Sequence, residues 1–174
     1  MKHIPNLLTI LRIALVPVFL YFVVIEELYT AAAVFIIAGV TDGVDGFLAR
    51  RYDLRTEFGA NMDPFADKFL LMSAYIALTA KGLLPLWLTI PVVLKDSFLL
   101  TGFMALRGMG RKVAASPSVF GKSTTVLQIL TVVYAMLIGR DAFFPFLAGA
   151  TAMITVYTWI DYSRREYLIQ TGRK

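Results

Sequence analysis

Long apolar segments separated by short polar stretches run along the whole chain. A helix needs about 20 apolar residues to cross the hydrocarbon core of a bilayer. Six segments have at least that length, and they cover residues 5–26, 30–50, 60–80, 84–107, 119–139 and 142–163. The pattern predicts an all-α membrane protein, with six transmembrane helices in a single domain over residues 1–174.

The start of the first segment has two faces. Between Lys2 and Arg12, the polar residues Asn6 and Thr9 are interspersed with apolar ones, which is typical of a helix lying at a membrane surface. We therefore expect an N-terminal interfacial helix that runs into the first transmembrane helix. It would help to shape the functional site, and the alternative is that it serves only as a membrane anchor.

Composition agrees with the membrane class. Of the 174 residues, 58% are hydrophobic, and the mean hydropathy is +0.70, well above that of an ordinary soluble domain. The chain has no cysteine, which excludes disulfides and thiolate metal sites. The net charge of +5 is dispersed around the apolar segments. This favours anionic lipids and phosphates as partners, and no nucleic acid.

The distribution of positive charge predicts the orientation. Most lysines and arginines fall on one side of the six-helix arrangement, among them Arg12, Arg111 and Arg164, whereas Lys81 and Arg140 fall on the other. Positively charged loops stay in the cytosol. Both termini are therefore expected there, in a multi-pass protein of a bacterial inner membrane.

A cluster of carboxylates lies between the second and third apolar segments, at the cytosolic end. Asp42 and Asp45 are three residues apart and Asp63 and Asp67 are four apart, so each pair shares one helix face. An aspartate at the centre of a membrane helix costs about 2.5–3.5 kcal/mol, so such a cluster indicates a functional site. Divalent cations would remove the mutual repulsion. Oxygen ligands favour Mg²⁺ or Mn²⁺ over zinc, since the lone His3 is remote.

Small residues accompany the carboxylates. Gly43, Gly46 and Ala49 leave no bulk beside the first pair, so a ligand can approach the backbone closely, and Arg50 can bind phosphate oxygens bidentately. The alternative is a polar helix end with acid–base pairs in a cytosolic loop. That alternative explains neither the shared carboxylate faces nor the glycines.

The complete pattern is D-x2-D-G-x2-A-R-x8-G-x3-D-x3-D, from Asp42 to Asp67. It resembles the signature of the CDP-alcohol phosphatidyltransferases, and the resemblance extends from Ile4-Pro5-Asn6 to the C-terminal helix. It implies a membrane enzyme that displaces CMP from a CDP-linked substrate, with an alcohol as acceptor and two divalent metal ions. It also implies a homodimer, since family members are commonly homodimers.

The resemblance also assigns roles to residues. It implies that the metal ions are bound by Asp42, Asp45, Asp63 and Asp67. Asp67 would in addition be the general base. The other fixed positions of the motif would hold the cytidine and the diphosphate, and they are Gly46, Ala49, Arg50 and Gly59.

Three cations outside the motif are candidates for binding the acceptor: Lys95, Arg107 and Lys122. Lys95 would reach the acceptor's phosphate while Asp96 orients it, and a self-neutralising structural pair is the alternative. Lys122 belongs to a segment that resembles the family's Gly-Lys-x2-Thr-x2-Gln element and would hold an anionic head group at a helix start. Snorkelling of this side chain to the membrane interface is the alternative.

The predicted activity is transfer of a phosphatidyl group from CDP-diacylglycerol to a glycerol-type acceptor. Glycerol 3-phosphate and phosphatidylglycerol remain open as acceptors, with inositol phosphate or serine as alternatives. Lys95-Asp96 followed by Arg107 departs from the bacterial phosphatidylglycerophosphate synthases and resembles mitochondrial-type cardiolipin synthases. A divalent-cation transporter would need carboxylates throughout the membrane depth, and a structural scaffold leaves the cluster unexplained.

Overall fold

The computed structural model describes the backbone of residues 4–51, 57–108 and 119–171, and the side chains of residues 11–41, 68–102, 104 and 120–164. Within these ranges the chain forms six α-helices and no β-strand. The helices are α1 (Ile4–Val24), α2 (Leu28–Arg51), α3 (Glu57–Ala80), α4 (Leu86–Gly108), α5 (Val119–Leu137) and α6 (Phe144–Thr171). The all-α class is confirmed.

The helix bounds differ from the prediction only near the ends. Helix α1 runs without a break from Ile4 to Val24, so the predicted interfacial stretch forms the beginning of α1 rather than a separate helix. Helix α3 begins at Glu57, earlier than predicted. Of the described segments, Phe120–Leu137 is long and apolar enough to cross a membrane, and there are shorter apolar stretches at Leu11–Val24, Leu28–Thr41 and Lys68–Ala80. Six membrane crossings remain a prediction.

On one side of the bundle, three helices are each followed by a residue in the left-handed backbone conformation. They are Glu26 (φ 66°), Gly82 (φ 74°) and Gly139 (φ 88°). After α3, the N–H of Gly82 donates to the Thr79 carbonyl and that of Leu83 to the Leu78 carbonyl. These are the two bonds of a Schellman motif, which satisfies the last carbonyls of a helix.

Polar contacts tie the loops on this side of the bundle together. Lys81 Nζ donates to the Val24 carbonyl at 2.8 Å and to Glu26 at 3.0 Å, and Arg140 donates to the Gly82 carbonyl at 3.2 Å. Asp141 caps α6 by accepting from the backbone N–H of Phe144 at 3.0 Å. The ends of α1 and α3 are therefore held at the same level.

Two groups of helices form the bundle. Helix α1 packs against α2 and α3, and α6 packs against α5 and α4. The two groups meet where α3 packs against α4 and where α2 and α3 contact α5. The buried apolar core includes Phe19 and Phe35, whose ring centroids are 5.6 Å apart, and Leu78 and Leu88. Many large apolar side chains remain exposed, as lipid-facing residues would be.

Neutral polar side chains connect α5 and α6. Three hydrogen-bonded pairs occur among the described side chains of this interface: Thr124–Thr158 (2.7 Å), Gln128–Thr155 (3.1 Å) and Thr131–Thr151 (2.8 Å). Tyr75 Oη on α3 donates to the Gln128 carbonyl at 3.2 Å. Polar side chains that bond across helices in this way stabilise membrane bundles, and here they join α3, α5 and α6.

Replacing Gly82 by alanine should destabilise the protein by about 1–2 kcal/mol, because a Cβ is unfavourable in the left-handed conformation. Thermal unfolding in detergent measures the change. Gly102→Ala is the matched control, since Gly102 lies within α4 with no atom close to its added Cβ. The control should be neutral or stabilising. Equal destabilisation by both substitutions would contradict this account of the turn.

Candidate active site

The backbone brings the two halves of the motif to one end of the bundle. Helix α2 is continuous to Arg51, so Asp42, Asp45, Gly46, Ala49 and Arg50 all belong to it. Helix α3 contains Gly59, Asp63 and Asp67 near its start. Both aspartate pairs, three and four residues apart, therefore lie on helices as predicted. The side chains of these residues lie outside the described ranges, so their individual roles remain predictions.

Helical register relates the first carboxylate pair to the buried side of α2. Ala31, Phe35 and Ala38 are buried, with steps of four and three residues. The next steps of the same series reach Asp42 and Asp45. Since residues three and four apart share a face, these two aspartates occupy register positions that belong to the core-facing series of α2.

The second pair has the same relation to α3. Leu71, Ala74 and Leu78 are buried on that helix, again with steps of three and four residues. Two steps of four residues back from Leu71 lead to Asp67 and then Asp63. The buried series of α2 and the buried series of α3 both lead into carboxylates at the same end of the bundle.

A buried charged cluster lies directly beside this end. Asp96 on α4 is fully buried, and its Oδ1 lies 3.1 Å from Lys95 Nζ and 3.5 Å from Lys68 Nζ. Lys95 is only 2% exposed, and Lys68 follows Asp67 in the chain. Two ammonium groups thus share one carboxylate. Buried charges are costly unless they are paired, so Asp96 is what allows both lysines to remain in the interior.

The predicted acceptor residues lie in different environments. Lys95 is buried against Asp96, as the self-neutralising pair requires, and its contact with an acceptor remains a prediction. Lys122 lies in the first turn of α5 and is exposed. Arg107 lies in the last turn of α4, and its side chain is outside the described ranges. The ends of α4 and α5 that carry Arg107 and Lys122 are on the motif side of the bundle.

One buried cation was missed by the sequence reasoning. The charge distribution placed Arg12 among the charges of the cytosolic side, but its side chain is 1% exposed. It begins a series of buried residues on α1 that continues with Val16, Phe19 and Val23. The steps of four, three and four residues were visible in the sequence, and they were the signal that could have placed Arg12 in the interior.

Among the described side chains, no three Asp, Glu, His or Cys residues converge on a possible metal position. The side chains of the four motif aspartates lie outside the described ranges, so it is the family signature that assigns them to a metal site. The family model for CDP-alcohol phosphatidyltransferases matches residues 2–160. The chain belongs to the CDP-alcohol phosphatidyltransferase family. Its all-helical bundle, with the motif at the joined ends of α2 and α3, is therefore that of a phosphatidyltransferase.

Relatives of this phosphatidyltransferase carry two kinds of enzyme name. It is 35% identical to the CDP-diacylglycerol–glycerol-3-phosphate 3-phosphatidyltransferase of Bacillus subtilis, over 99% of this chain and 100% of that protein. The Escherichia coli K12 protein of the same name is 32% identical, over 92% of each chain. Human cardiolipin synthase (CMP-forming) is 39% identical over 60% of this chain and 35% of the human protein.

Replacing Asp96 by asparagine should destabilise this phosphatidyltransferase by about 3–5 kcal/mol, because removal of one partner leaves buried charge without compensation. Thermal unfolding in detergent gives the measurement. Glu26→Gln is the matched control, since it removes the exposed Lys81–Glu26 pair, and exposed pairs contribute about 0–1 kcal/mol. A similar small effect for both variants would show that Asp96 does not hold the two lysines.

Proposed function

We propose that this chain is an integral membrane enzyme that transfers the phosphatidyl group of CDP-diacylglycerol to glycerol 3-phosphate and releases CMP. The observation that carries the proposal is the complete motif, whose four aspartates continue the buried series of α2 and α3. End-to-end similarity to the B. subtilis glycerol-3-phosphate enzyme supports this acceptor.

Phosphatidylglycerol is the second candidate acceptor. The similarity to human cardiolipin synthase and the Lys95-Asp96 sequence on α4 favour it. That similarity covers only 60% of the chain, whereas the glycerol-3-phosphate enzymes match almost its full length. Glycerol 3-phosphate is therefore the acceptor we propose first.

The chemistry of the donor set fits a divalent metal site. Asp42, Asp45, Asp63 and Asp67 offer only carboxylate oxygens, which suit Mg²⁺ or Mn²⁺. Each pair lies on one helix, at the end where α2 and α3 are joined. When bound there, two metal ions would neutralise the diphosphate of the donor and the charge on departing CMP.

The chain's own residues carry the remaining steps. Arg50 donates hydrogen bonds to the diphosphate oxygens, while Gly46, Ala49 and Gly59 leave space for the CDP group near the backbone. Asp67 accepts the proton of the acceptor hydroxyl. The hydroxyl oxygen forms a bond to the phosphatidyl phosphorus as the bond between that phosphorus and the CMP oxygen breaks.

The membrane arrangement follows from the same proposal. The exposed apolar side chains contact lipid, the six helices cross the bilayer, and the motif end opens to the cytosol, where glycerol 3-phosphate is dissolved. The inner membrane of a bacterium is the location that we propose, and a homodimer is the assembly. Small residues with open space around them, such as Gly39 and Gly149, would permit close helix packing between subunits.

Metal removal should abolish turnover. We expect CMP release to require Mg²⁺ or Mn²⁺, and Asp42→Asn to lose activity while the protein still folds, because a neutral amide is a weaker ligand. The assay follows CMP release with CDP-diacylglycerol and glycerol 3-phosphate, and circular dichroism checks folding. Full turnover in excess EDTA, after removal of bound metal, would overturn the metal-dependent proposal.

Asp67→Asn should lower kcat by about 10²–10⁴-fold, the usual contribution of a general base. Binding of CDP-diacylglycerol should be largely preserved, since the donor depends more on Arg50 and the other carboxylates. Steady-state kinetics and donor binding by equilibrium methods separate the two effects. A variant with normal kcat would leave Asp67 with no role as the base.

Lys122→Gln should raise the KM for the acceptor at least about tenfold, because hydrogen bonds to charged groups contribute about 1.5–3 kcal/mol. The KM for CDP-diacylglycerol should change much less. Parallel assays with glycerol 3-phosphate and with phosphatidylglycerol identify the acceptor. Lys81→Gln is the control, since Lys81 lies at the opposite end of the bundle. An unchanged acceptor KM would remove Lys122 from the acceptor site.

A further inference from the structure

The proposed mechanism leaves one buried cation without a role. Arg12 on α1 is only 1% exposed, although a charged side chain in an apolar interior is costly and in membrane proteins generally marks function. It continues the buried series Val16, Phe19 and Val23. Arg12 therefore lies on the side of α1 that packs into the bundle, and the packing against α2 and α3 determines which groups it approaches.

The register between α1 and α2 brings position 12 level with position 42. The two helices are antiparallel neighbours joined by a short turn, and Phe19 packs on Phe35 with ring centroids 5.6 Å apart. Seven residues back from Phe19 is Arg12, and seven residues on from Phe35 is Asp42. Both routes follow the buried series of their helix, through Val16 on α1 and Ala38 on α2. Two helical turns separate the aromatic contact from each position.

The register between α1 and α3 places Arg12 close to the level of Asp67 as well. These helices run in the same direction, and the hydrogen bond from Lys81 Nζ to the Val24 carbonyl, 2.8 Å long, ties their ends together. Twelve residues back from Val24 is Arg12, and twelve back from Lys81 is Phe69. Both distances are about 18 Å at about 1.5 Å per residue. Arg12 is therefore within about one turn of the level of Asp67.

We propose that Arg12 is a positioning residue for the carboxylate of Asp42. Its guanidinium donates hydrogen bonds to that carboxylate and fixes the direction of the oxygen that binds the metal ion. Partners of this kind around ligating carboxylates are worth about 10–100-fold in metal affinity or activity. The planar guanidinium suits the task because it presents a rigid fork of donors, which lysine lacks.

The inference rests on the proposed metal-dependent function, and direct metal binding tests it without catalysis. Mn²⁺ is titrated into the purified full-length protein in detergent without substrates, and free Mn²⁺ is measured by electron paramagnetic resonance. Arg12→Gln should raise the Kd for Mn²⁺ by about 10–100-fold. Arg12→Lys should give an intermediate Kd, because it keeps the charge and loses the fork.

A matched variant separates positioning from loss of packing. Val16→Ala removes buried volume one turn further along the same series of α1. It should lower the unfolding temperature and leave the Kd for Mn²⁺ unchanged. If Arg12→Gln lowers only the unfolding temperature, Arg12 is structural. If it raises only the KM for CDP-diacylglycerol, Arg12 binds the donor. Either result overturns the proposal.

The outcomes also distinguish this inference from the function on which it rests. A wild-type protein that binds no Mn²⁺ would refute the metal-dependent function itself. A wild-type protein and an Arg12→Gln variant with equal Kd values would refute only the role of Arg12.

If Arg12→Gln does not fold, a second substitution identifies the carboxylate that pairs with Arg12. Adding Asp42→Asn should restore folding, because the two charges then disappear together, whereas adding Asp96→Asn should not. Failure of Asp42→Asn to restore folding would show that Arg12 does not pair with Asp42.

Discussion

The cost of burying charge in an apolar helix bundle constrains the described structure. The buried ionic groups of the described side chains are Arg12, Lys95 and Asp96, and Lys68 joins them through its pair with Asp96. Between α5 and α6, neutral threonines and a glutamine pair with each other instead. The charged cluster of Lys68, Lys95 and Asp96 adjoins the motif, since Lys68 follows Asp67 in the chain. A phosphatidyltransferase needs such a place, since its donor and both of its candidate acceptors carry phosphate.

Contacts in the rest of the bundle align the helices with one another at the motif end. On the opposite side, Lys81 and Arg140 connect three loops through backbone carbonyls, and left-handed residues keep these turns short. Between the two ends, Phe19 on Phe35 sets α1 against α2, and Tyr75 connects α3 to α5. Because helices are stiff, contacts far from the motif determine which residues face one another within it.

The sequence predicted the helices well because their signal is local. Apolar length and the spacing of Asp42, Asp45, Asp63 and Asp67 each depend on residues close together in the chain. The helix bounds lie within a few residues of the predicted ones, except that α6 continues eight residues beyond its predicted end at residue 163. Contacts between helices carry no such signal. Lys68 reaches Asp96 across 28 positions, and the sequence assigned Arg12 to the cytosolic side without showing that its side chain is buried. The acceptor site was hard to predict for the same reason, because Lys95 and Arg107 lie on α4 whereas Lys122 lies on α5.

The central claim is that the carboxylates of α2 and α3 form one metal-binding site for CDP-linked donor chemistry. Anomalous scattering from crystals grown with Mn²⁺ and CDP-diacylglycerol tests it most directly. Two anomalous peaks are expected about 3.5–4 Å apart. Each should be bound by carboxylate oxygens from the two helices, with Asp42, Asp45, Asp63 and Asp67 as the ligands. Manganese bound elsewhere on the chain, with none between α2 and α3, would contradict it.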